Sequence, residues 1–266
     1  MTYATGVAST ANQLIDALYT FAQAQGWTVN GYAADGAGYR LHLNRGDVWA
    51  DFSTAYTPGS DALALKGSTG YSGASAWDNQ PNAIPYPLTC PNQVGSQSTS
   101  LFPCTWHLFA QTNPDLLAGV FVSPAQANTH FAVGQLIKTG IYDTGAFYGG
   151  HQFWAPGMGI YYAHHLALRA EVEGAQWLGA GSALALWRDG APEMTNQFNG
   201  LAPLMPIRVM FQSAGYGVLL GFLPHLRCVH MQHFNNGDGF TIGADEWLVF
   251  FRSDRPAGGV GLALRK

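Results

Sequence analysis

The sequence predicts a mainly β protein, α+β at the margin, with a sandwich- or barrel-like body of short antiparallel strands and an amphipathic N-terminal helix. Three observations predict this class. Apolar residues recur at helical spacing most clearly near the N-terminus. Beyond that point, short runs of β-branched, aromatic and apolar residues alternate with turns rich in Gly, Asn, Asp and Pro. No internal repeat of fixed period is evident, so we expect one body of strands and not a stack of repeats.

The N-terminal helix has start and stop signals as well as a periodic face. Ser9 or Thr10 can cap its first turn, and Gln13 stands in the capping-box position relative to Thr10. Gly26 stands where a glycine commonly ends a helix. The apolar stripe between them consists of Leu14, Ile15, Leu18, Phe21 and Ala22. One face of this helix is therefore expected to be covered and the other exposed.

Strand-like segments follow along the rest of the chain. A Gly-rich turn at residues 31–38 and a turn at 44–47 separate the first three of them. Residues 160–173 form either a strand or a second helix, because their Ala, Leu and Glu content permits both. The predicted strands lie at residues 27–29, 39–43, 48–52, 62–65, 105–109, 117–122, 129–133, 183–187, 206–211, 217–222, 225–229 and 247–251.

The longest stretch without a clear strand runs over residues 67–103 and is rich in Ser, Gly, Asn and Pro. Such a stretch is long for a connection inside a compact domain. It is a functional arm, a loop that another subunit orders, or a boundary between lobes. We therefore predict two domains: residues 1–100, with the helix, a small β lobe and this arm, and residues 101–266, the main β domain. Trp77 and Tyr86 in the arm are the aromatic side chains expected outside the core, and so the candidate partner contacts.

The composition bears on function because charged residues make up only 11% of the 266 residues, where soluble domains average about a quarter. Gly, Ser, Thr, Asn, Gln and aromatic residues take their place. A surface of this kind loses little desolvation energy when another protein covers it, and interfaces are depleted in Lys and Glu. The composition favours a subunit with covered surfaces over the alternative, a Gly-rich monomer with a merely polar surface.

Several classes of protein are disfavoured. The net charge is −4, and the basic residues are scattered apart from a few near the C-terminus, so no specific nucleic-acid binding is predicted. No apolar run has the length of a membrane span. The N-terminus lacks the pattern of a secretory signal, so we expect synthesis in a cytoplasm. In that compartment thiols stay reduced, although Cys90 and Cys104 could close a loop, a pairing that the sequence leaves open.

The candidate chemical motifs are weak, and no catalytic, cofactor or metal residue is predicted. His230 and His233 lie in a segment that looks extended, where a spacing of three residues turns the rings to opposite faces. Cys104 and His107 have the same spacing, so the thiol and the imidazole are expected on opposite faces of a strand and not as a nucleophile and its base. Residues 235–239, Asn-Asn-Gly-Asp-Gly, fit a tight hairpin turn better than a calcium loop, because the bidentate Glu is missing at the expected distance.

A string of short motifs resembles a family of tailed-bacteriophage virion structural proteins. The motifs are HLF at 107–109, GVFVSP at 119–124, THFAVGQLIKTG at 129–140, TGAFYGG at 144–150, GWTV at 26–29, GY at 70–71 with WDNQP at 77–81, and GADEWLVF at 243–250. The resemblance implies a non-enzymatic structural subunit of the neck, tail or baseplate. Its expected partners are copies of itself and other virion proteins, and its expected location is the virion, after synthesis in the host cytoplasm. The alternative is a receptor- or carbohydrate-binding module at the tail tip.

Overall fold

A computed structural model describes residues 2–55, 62–85, 87–90, 101–124, 128–142, 145–150, 166–172, 175–178, 184–187, 204–213, 216–231, 233–251 and 260–266. The predicted class is confirmed: the described residues form antiparallel sheets, one helix and a sandwich-like body. The helix is α1 (Ala11–Ala24). The strands are β1 (Thr2–Ala8), β2 (Thr28–Asp35), β3 (Gly38–Arg45), β4 (Val48–Ser53), β5 (Leu63–Ser68), β6 (Leu88–Cys90), β7 (Cys104–Gln111), β8 (Leu116–Val122), β9 (Asn128–Gln135), β10 (Ile137–Lys138), β11 (Ala146–Gly150), β12 (Leu166–Val172), β13 (Ala175–Leu178), β14 (Leu184–Trp187), β15 (Met205–Ser213), β16 (Tyr216–His230), β17 (Gly239–Ile242), β18 (Asp245–Phe251) and β19 (Val260–Arg265).

Helix α1 begins and ends as its sequence predicts. The Thr10 hydroxyl accepts a hydrogen bond from the Gln13 amide at 3.2 Å, and the Gln13 side chain accepts one from the Ser9 amide at 2.6 Å. These two bonds satisfy amides that the first turn leaves without helical partners. At the other end Gly26 has φ +78°, and the next amide, that of Trp27, donates to Ala22. This is the glycine-terminated end that the sequence indicates.

The strands form three antiparallel sheets. The central sheet has the order β1-β7-β8-β9-β11-β12-β13, and the small sheet has the order β2-β3-β4-β5-β6. The C-terminal sheet has the order β14-β15-β16-β19-β18-β17, and β10 also pairs with β16. The central sheet lies between the other two, because its strands contribute side chains to two separate apolar clusters.

The alternation of side chains along the central strands explains these two clusters. On β7, Leu108 packs with α1 and the small sheet, whereas its neighbour Phe109 packs with the C-terminal sheet. The same alternation separates Leu117 from Ala118 on β8. Successive residues of a strand point to opposite faces, so a sheet covered on both sides has no solvent-facing row. β7, β8 and β9 accordingly contain no Lys, Arg, Asp or Glu, and part of the low charge of the chain is a property of its core.

The predicted division into residues 1–100 and 101–266 does not coincide with the packing. β1 pairs over its whole length with β7, from Thr2 opposite Ala110 to Ala8 opposite Cys104. One apolar cluster also joins α1 and the small sheet to strands of the central sheet. The ion pair between Arg45 and Asp115, at 2.7 Å, connects β3 to the residue before β8. The N-terminal strand therefore completes the sheet of the predicted second domain.

The described part of the 67–103 segment packs against its own chain. Gln80 is buried, and its side-chain carbonyl accepts a hydrogen bond from the Ser72 amide at 2.7 Å. Its side-chain amide donates to the carbonyls of Ser72, Ser75 and Ala76. The Ile84 side chain is fully buried in the cluster with α1. Gly67 and Ser68 thus end β5, residues 69–85 form a loop that packs on the small sheet, and the prediction of an arm is wrong for this part.

Three local predictions also need correction. β2 continues to Asp35, so the predicted turn at 31–38 is confined to Gly36 and Ala37, between the paired Asp35 and Gly38. Within 160–173, residues 166–172 form strand β12 and not a helix, because this segment pairs with β11 and β13. Residues 235–238 form a turn, as predicted, but the tight hairpin joins β17 and β18 at Gly243, which has φ +62°.

Candidate assembly interface

The two predicted partner contacts are not both described. The Trp77 side chain is only 6% exposed, so the expectation that it lies outside the core is wrong. The loop that carries it folds back over the small sheet and covers the indole with its own chain. Trp77 offers little ring surface for a sugar or a protein to contact. Tyr86 lies outside the described residues. Arg252 and Arg255, two of the basic residues near the C-terminus, do so as well.

The surface that stands out is the edge strand β1. It lies at one end of the central sheet, bonded to β7 on one side, and no strand among the described residues pairs with its other side. Its seven residues pair with β7 in a continuous register without a bulge. A regular edge of this length presents backbone N–H and C=O groups to whatever strand approaches it.

The side chains of β1 do not protect this edge. The sequence from Thr2 to Ala8 is Thr-Tyr-Ala-Thr-Gly-Val-Ala, without charge and without proline. Soluble proteins usually block such edges with lysine, proline, a bulge or a covering element. The Val7 side chain is 71% exposed at the end of the strand. Among the described residues, β1 is therefore unpaired on this side and carries no blocking side chain of its own.

Hydrogen bonds to β7 hold β1 in place. The Tyr3 hydroxyl lies 2.8 Å from His107 Nδ1, and the Thr5 hydroxyl donates to the Trp106 carbonyl at 2.8 Å. The Trp106 indole lies across Gly6 so closely that a Cβ atom there would overlap the ring. These contacts at Tyr3, Thr5 and Gly6 add to the backbone pairing with β7 along the whole of β1.

A shallow pocket of about 200 Å³ lies beside the exposed end of β1. Apolar and small polar residues line it, without any charged side chain: Val7, Pro103, Cys104, Thr105, Val122, Ser123 and Pro124. The pocket extends the uncharged surface from the edge strand onto the ends of β7 and β8.

Among the described residues, a buried cluster of ionisable groups lies between the small sheet and the loop that covers it. His42 Nδ1 is 2.8 Å from Asp51 Oδ1, and both side chains are almost fully buried. The Lys66 ammonium donates to the Asp78 carbonyl at 3.0 Å. Burial raises the pKa of Asp51, against the opposing effects of His42, Ser68 and Lys66. Burial likewise lowers the pKa of Lys66. The loop containing Tyr71 and Gln80 covers this cluster. The cluster therefore links the sheet to the loop, and its buried side chains do not line an open cleft for a substrate.

The other candidate motifs do not converge on a site. On β7, Cys104 packs in the cluster with α1, whereas the His107 ring lies 4.8 Å from that of Phe250 on the opposite face. The spacing argument that separates this thiol from this imidazole is therefore confirmed. Within the described ranges, no three His, Cys, Asp or Glu side chains are grouped as a metal site. Near the C-terminus, Arg265 pairs with Asp245, and Lys266 pairs with Glu246 at 3.0 Å.

Two further candidates have a structural explanation or stay open. At 235–238, the Asp238 carboxylate accepts from the Asn235 amide at 2.6 Å, and Asn236 Oδ1 accepts from Asn128 and from the Phe251 amide. These bonds account for the oxygen-rich sequence as turn chemistry. Cys104 is buried, and the side chain of Cys90 is not among those described, so their pairing stays open. None of the helical structure in the described ranges has the length and hydropathy required of a membrane span.

The chain matches no protein-family profile and no curated protein. Sequence reasoning missed β1, because it treated the first residues only as a possible export signal. The alternation of Tyr3, Thr5 and Val7 with small residues was the available signal, since β-branched and aromatic residues at period two are typical of a strand.

Proposed function

We propose that the chain is a non-enzymatic structural subunit of a bacteriophage virion, in the tail, neck or baseplate. It acts through contacts with copies of itself and with other virion proteins. The observation that carries the proposal is β1, a regular, uncharged edge strand with Val7 exposed. An open edge is a liability for a free monomer, because it recruits other strands. It is useful in a subunit whose edge a neighbour covers.

The composition adds support, although less than the sequence alone indicates. Part of the missing charge is explained by a central sheet that is buried on both faces. The surface nevertheless includes exposed apolar residues at separate sites, among them Val7 and the fully exposed Ile141. Single exposed apolar residues are ordinary on a monomer; on an open edge they add to the surface that a partner covers.

The assignment to a virion, and to a chain made in the host cytoplasm, rests on the motif resemblance. Motifs from that set lie on β7, β8, β9 and β11, the strands that continue the central sheet from β1. A structural role also accords with the burial of the His42–Asp51 pair beneath a loop of the same chain.

The experiment is to purify phage particles from the strain whose genome encodes the chain and to quantify the chain by mass spectrometry. We expect it to co-sediment with intact particles at a fixed ratio to the other structural proteins. Antibody labelling in electron micrographs would then locate it at the neck, tail or baseplate. A chain that stays in the particle-free fraction, or a recombinant monomer that turns over a substrate, would contradict the proposal.

A further inference from the structure

The sequence of β1 is complementary to itself when two copies run antiparallel. With the two-fold axis at Thr5, the threonines of the two copies face each other, and Tyr3 of one copy faces Val7 of the other. In this register Ala4 faces Gly6, and Thr2 faces Ala8. Antiparallel pairing about a two-fold axis is the form in which a strand can satisfy an identical strand.

We propose that β1 pairs in this register with β1 of a second copy, so that the two central sheets become one continuous sheet. The inference rests on the proposed structural role and names the partner at this edge. It explains why the strand is uncharged: identical strands bring like charges together, and directly opposed like charges destabilise a sheet.

The facing pairs are favourable ones. Aromatic side chains opposite β-branched ones, and threonine opposite threonine, are among the cross-strand pairs that stabilise antiparallel sheets. Tyr3, Thr5 and Val7 share one face of the strand, so both kinds of pair form on the same side. The Val7 side chain, 71% exposed in one copy, is covered by Tyr3 of the other copy. On the opposite face Ala4 and Gly6 are small, and they leave room for Trp106, which lies across Gly6.

The other edges with described side chains fit self-pairing less well. β2 has an irregular register between Val29 and Gly31 and ends in Asp35. β17 has only four residues and adjoins Asp245 and Glu246 of β18. β6 has three residues. β13 has four residues and a shifted register against β12. Among these edges, β1 is the longest one that is both regular and uncharged.

The area of contact sets the expected strength. Two seven-residue strands and the pocket beside Val7 cover less surface than the roughly 1,600 Å² of a standard interface. We therefore expect an isolated dimer to dissociate in the micromolar range. Other contacts of an assembly would raise the effective concentration of the second copy and fill this edge.

The register is tested by cysteine cross-linking of the full chain in a Cys90→Ser background, since Cys104 and Cys228 are buried. Thr5→Cys places two cysteines opposite each other at the axis, so mild oxidation is expected to give a covalent dimer. The matched control is Thr2→Cys, which faces Ala8 of the other copy and lies about six residues, or roughly 20 Å, from its own equivalent. Cross-linking of Thr2→Cys to the same extent as Thr5→Cys would overturn the register.

Sedimentation over a range of concentrations tests the edge itself. Val7→Lys introduces a charge opposite Tyr3 and is expected to raise the dimer dissociation constant about tenfold or more. Ile141→Lys is the control, because it makes the same kind of change at an exposed site in the segment between β10 and β11, outside β1. Equal effects of both variants, or a wild-type chain that is monomeric at about 200 µM, would overturn self-pairing. The proposed function fails separately, if the chain is absent from particles.

Discussion

Tyr148 of the central sheet lies across Gly67 of the small sheet, and this contact joins the two layers. A Cβ atom at Gly67 would lie 2.6 Å from the Tyr148 ring. The hydroxyl at the far end of the ring accepts a hydrogen bond from the Trp49 amide at 3.1 Å. Tyr148 is fully buried, and burial raises the pKa of its hydroxyl. The absence of a side chain at Gly67 is therefore what allows a large ring to fill the space between two sheets.

The first prediction follows from this contact. Gly67→Ala is expected to destabilise the protein by about 1–3 kcal/mol, the usual cost of overpacking a core, because the Tyr148 ring has to move. Gly70→Ala is the matched control, since a Cβ atom there would meet only Pro81, at 3.7 Å. Urea denaturation measures both variants. Equal stability of Gly67→Ala and wild type would show that the ring is free to shift.

The second prediction concerns Gln80, whose side chain holds the loop over the small sheet. Gln80→Leu has a similar volume but leaves the Ser72 amide and the carbonyls of Ser75 and Ala76 without this partner. We expect a loss of about 1–3 kcal/mol, because several hydrogen bonds to partly buried backbone groups, each worth about 0.5–1.5 kcal/mol, are removed together. Hydrogen exchange at residues 72–76 should rise. Asn82→Ala, which removes an exposed bond to Thr69, is the control, and a similar rise in that variant would contradict the role given to Gln80.

The third prediction concerns the first turn of α1. Thr10→Ala removes the hydroxyl that accepts from the Gln13 amide, and the expected cost is about 1 kcal/mol. Ser9→Ala is the control, because the Ser9 amide that donates to Gln13 is retained. Thermal unfolding followed by circular dichroism compares the two. A larger loss of stability in Ser9→Ala than in Thr10→Ala would show that Thr10 is not the residue that caps the helix.

The fourth prediction concerns stability in acid. Burial lowers the pKa of His107 to about 4, below the ordinary value of about 6.5. The unfolded chain therefore binds a proton at His107 at a higher pH than the folded chain does. This contribution to stability is complete above about pH 6.5 and is lost as the pH falls towards 4.

Denaturation of wild type and His107→Gln at pH 7 and pH 4.5 tests this sign. The variant is expected to lose less stability between the two pH values than the wild type does. Burial, with the charges of Arg265 and Arg227, also lowers the pKa of His225 to about 4. His225→Gln should therefore flatten the profile in the same direction, and the double variant should be flattest. A steeper loss in His107→Gln would contradict the assignment.

Local signals predicted the helix and most strands because these depend on neighbouring residues. Thr10, Gln13 and Gly26 fix α1 through bonds within a few positions. Sequence reasoning failed where distant residues decide the outcome. Trp77 sits in a Ser- and Gly-rich segment, which predicts exposure, yet its indole is buried. The Gln80 side chain bonds to the backbone of residues that precede Trp77, and the sequence alone does not show these bonds.

The candidate interface was missed for a related reason. The alternation of Tyr3, Thr5 and Val7 indicates a strand but not its place in a sheet, because its partner β7 begins about a hundred residues later, at Cys104. Whether a strand is central or at an edge depends on the order of strands in the sheet, and that order is set by the whole chain. The low content of charged residues suggested covered surfaces. Only the order of strands shows how much of that low content belongs to a central sheet buried on both faces and how much to an edge strand.

The pairing of the first strand with a segment a hundred residues later has a consequence during translation. Thr5 and its acceptor Trp106 are separated by 101 positions. At about 5–20 residues per second, β1 waits roughly 5–20 s after synthesis before β7 follows it. Ribosomes on one messenger carry several chains with the same unpaired segment during that interval. Neighbouring nascent chains therefore expose to each other the sequence that pairs with itself, before either has a finished fold.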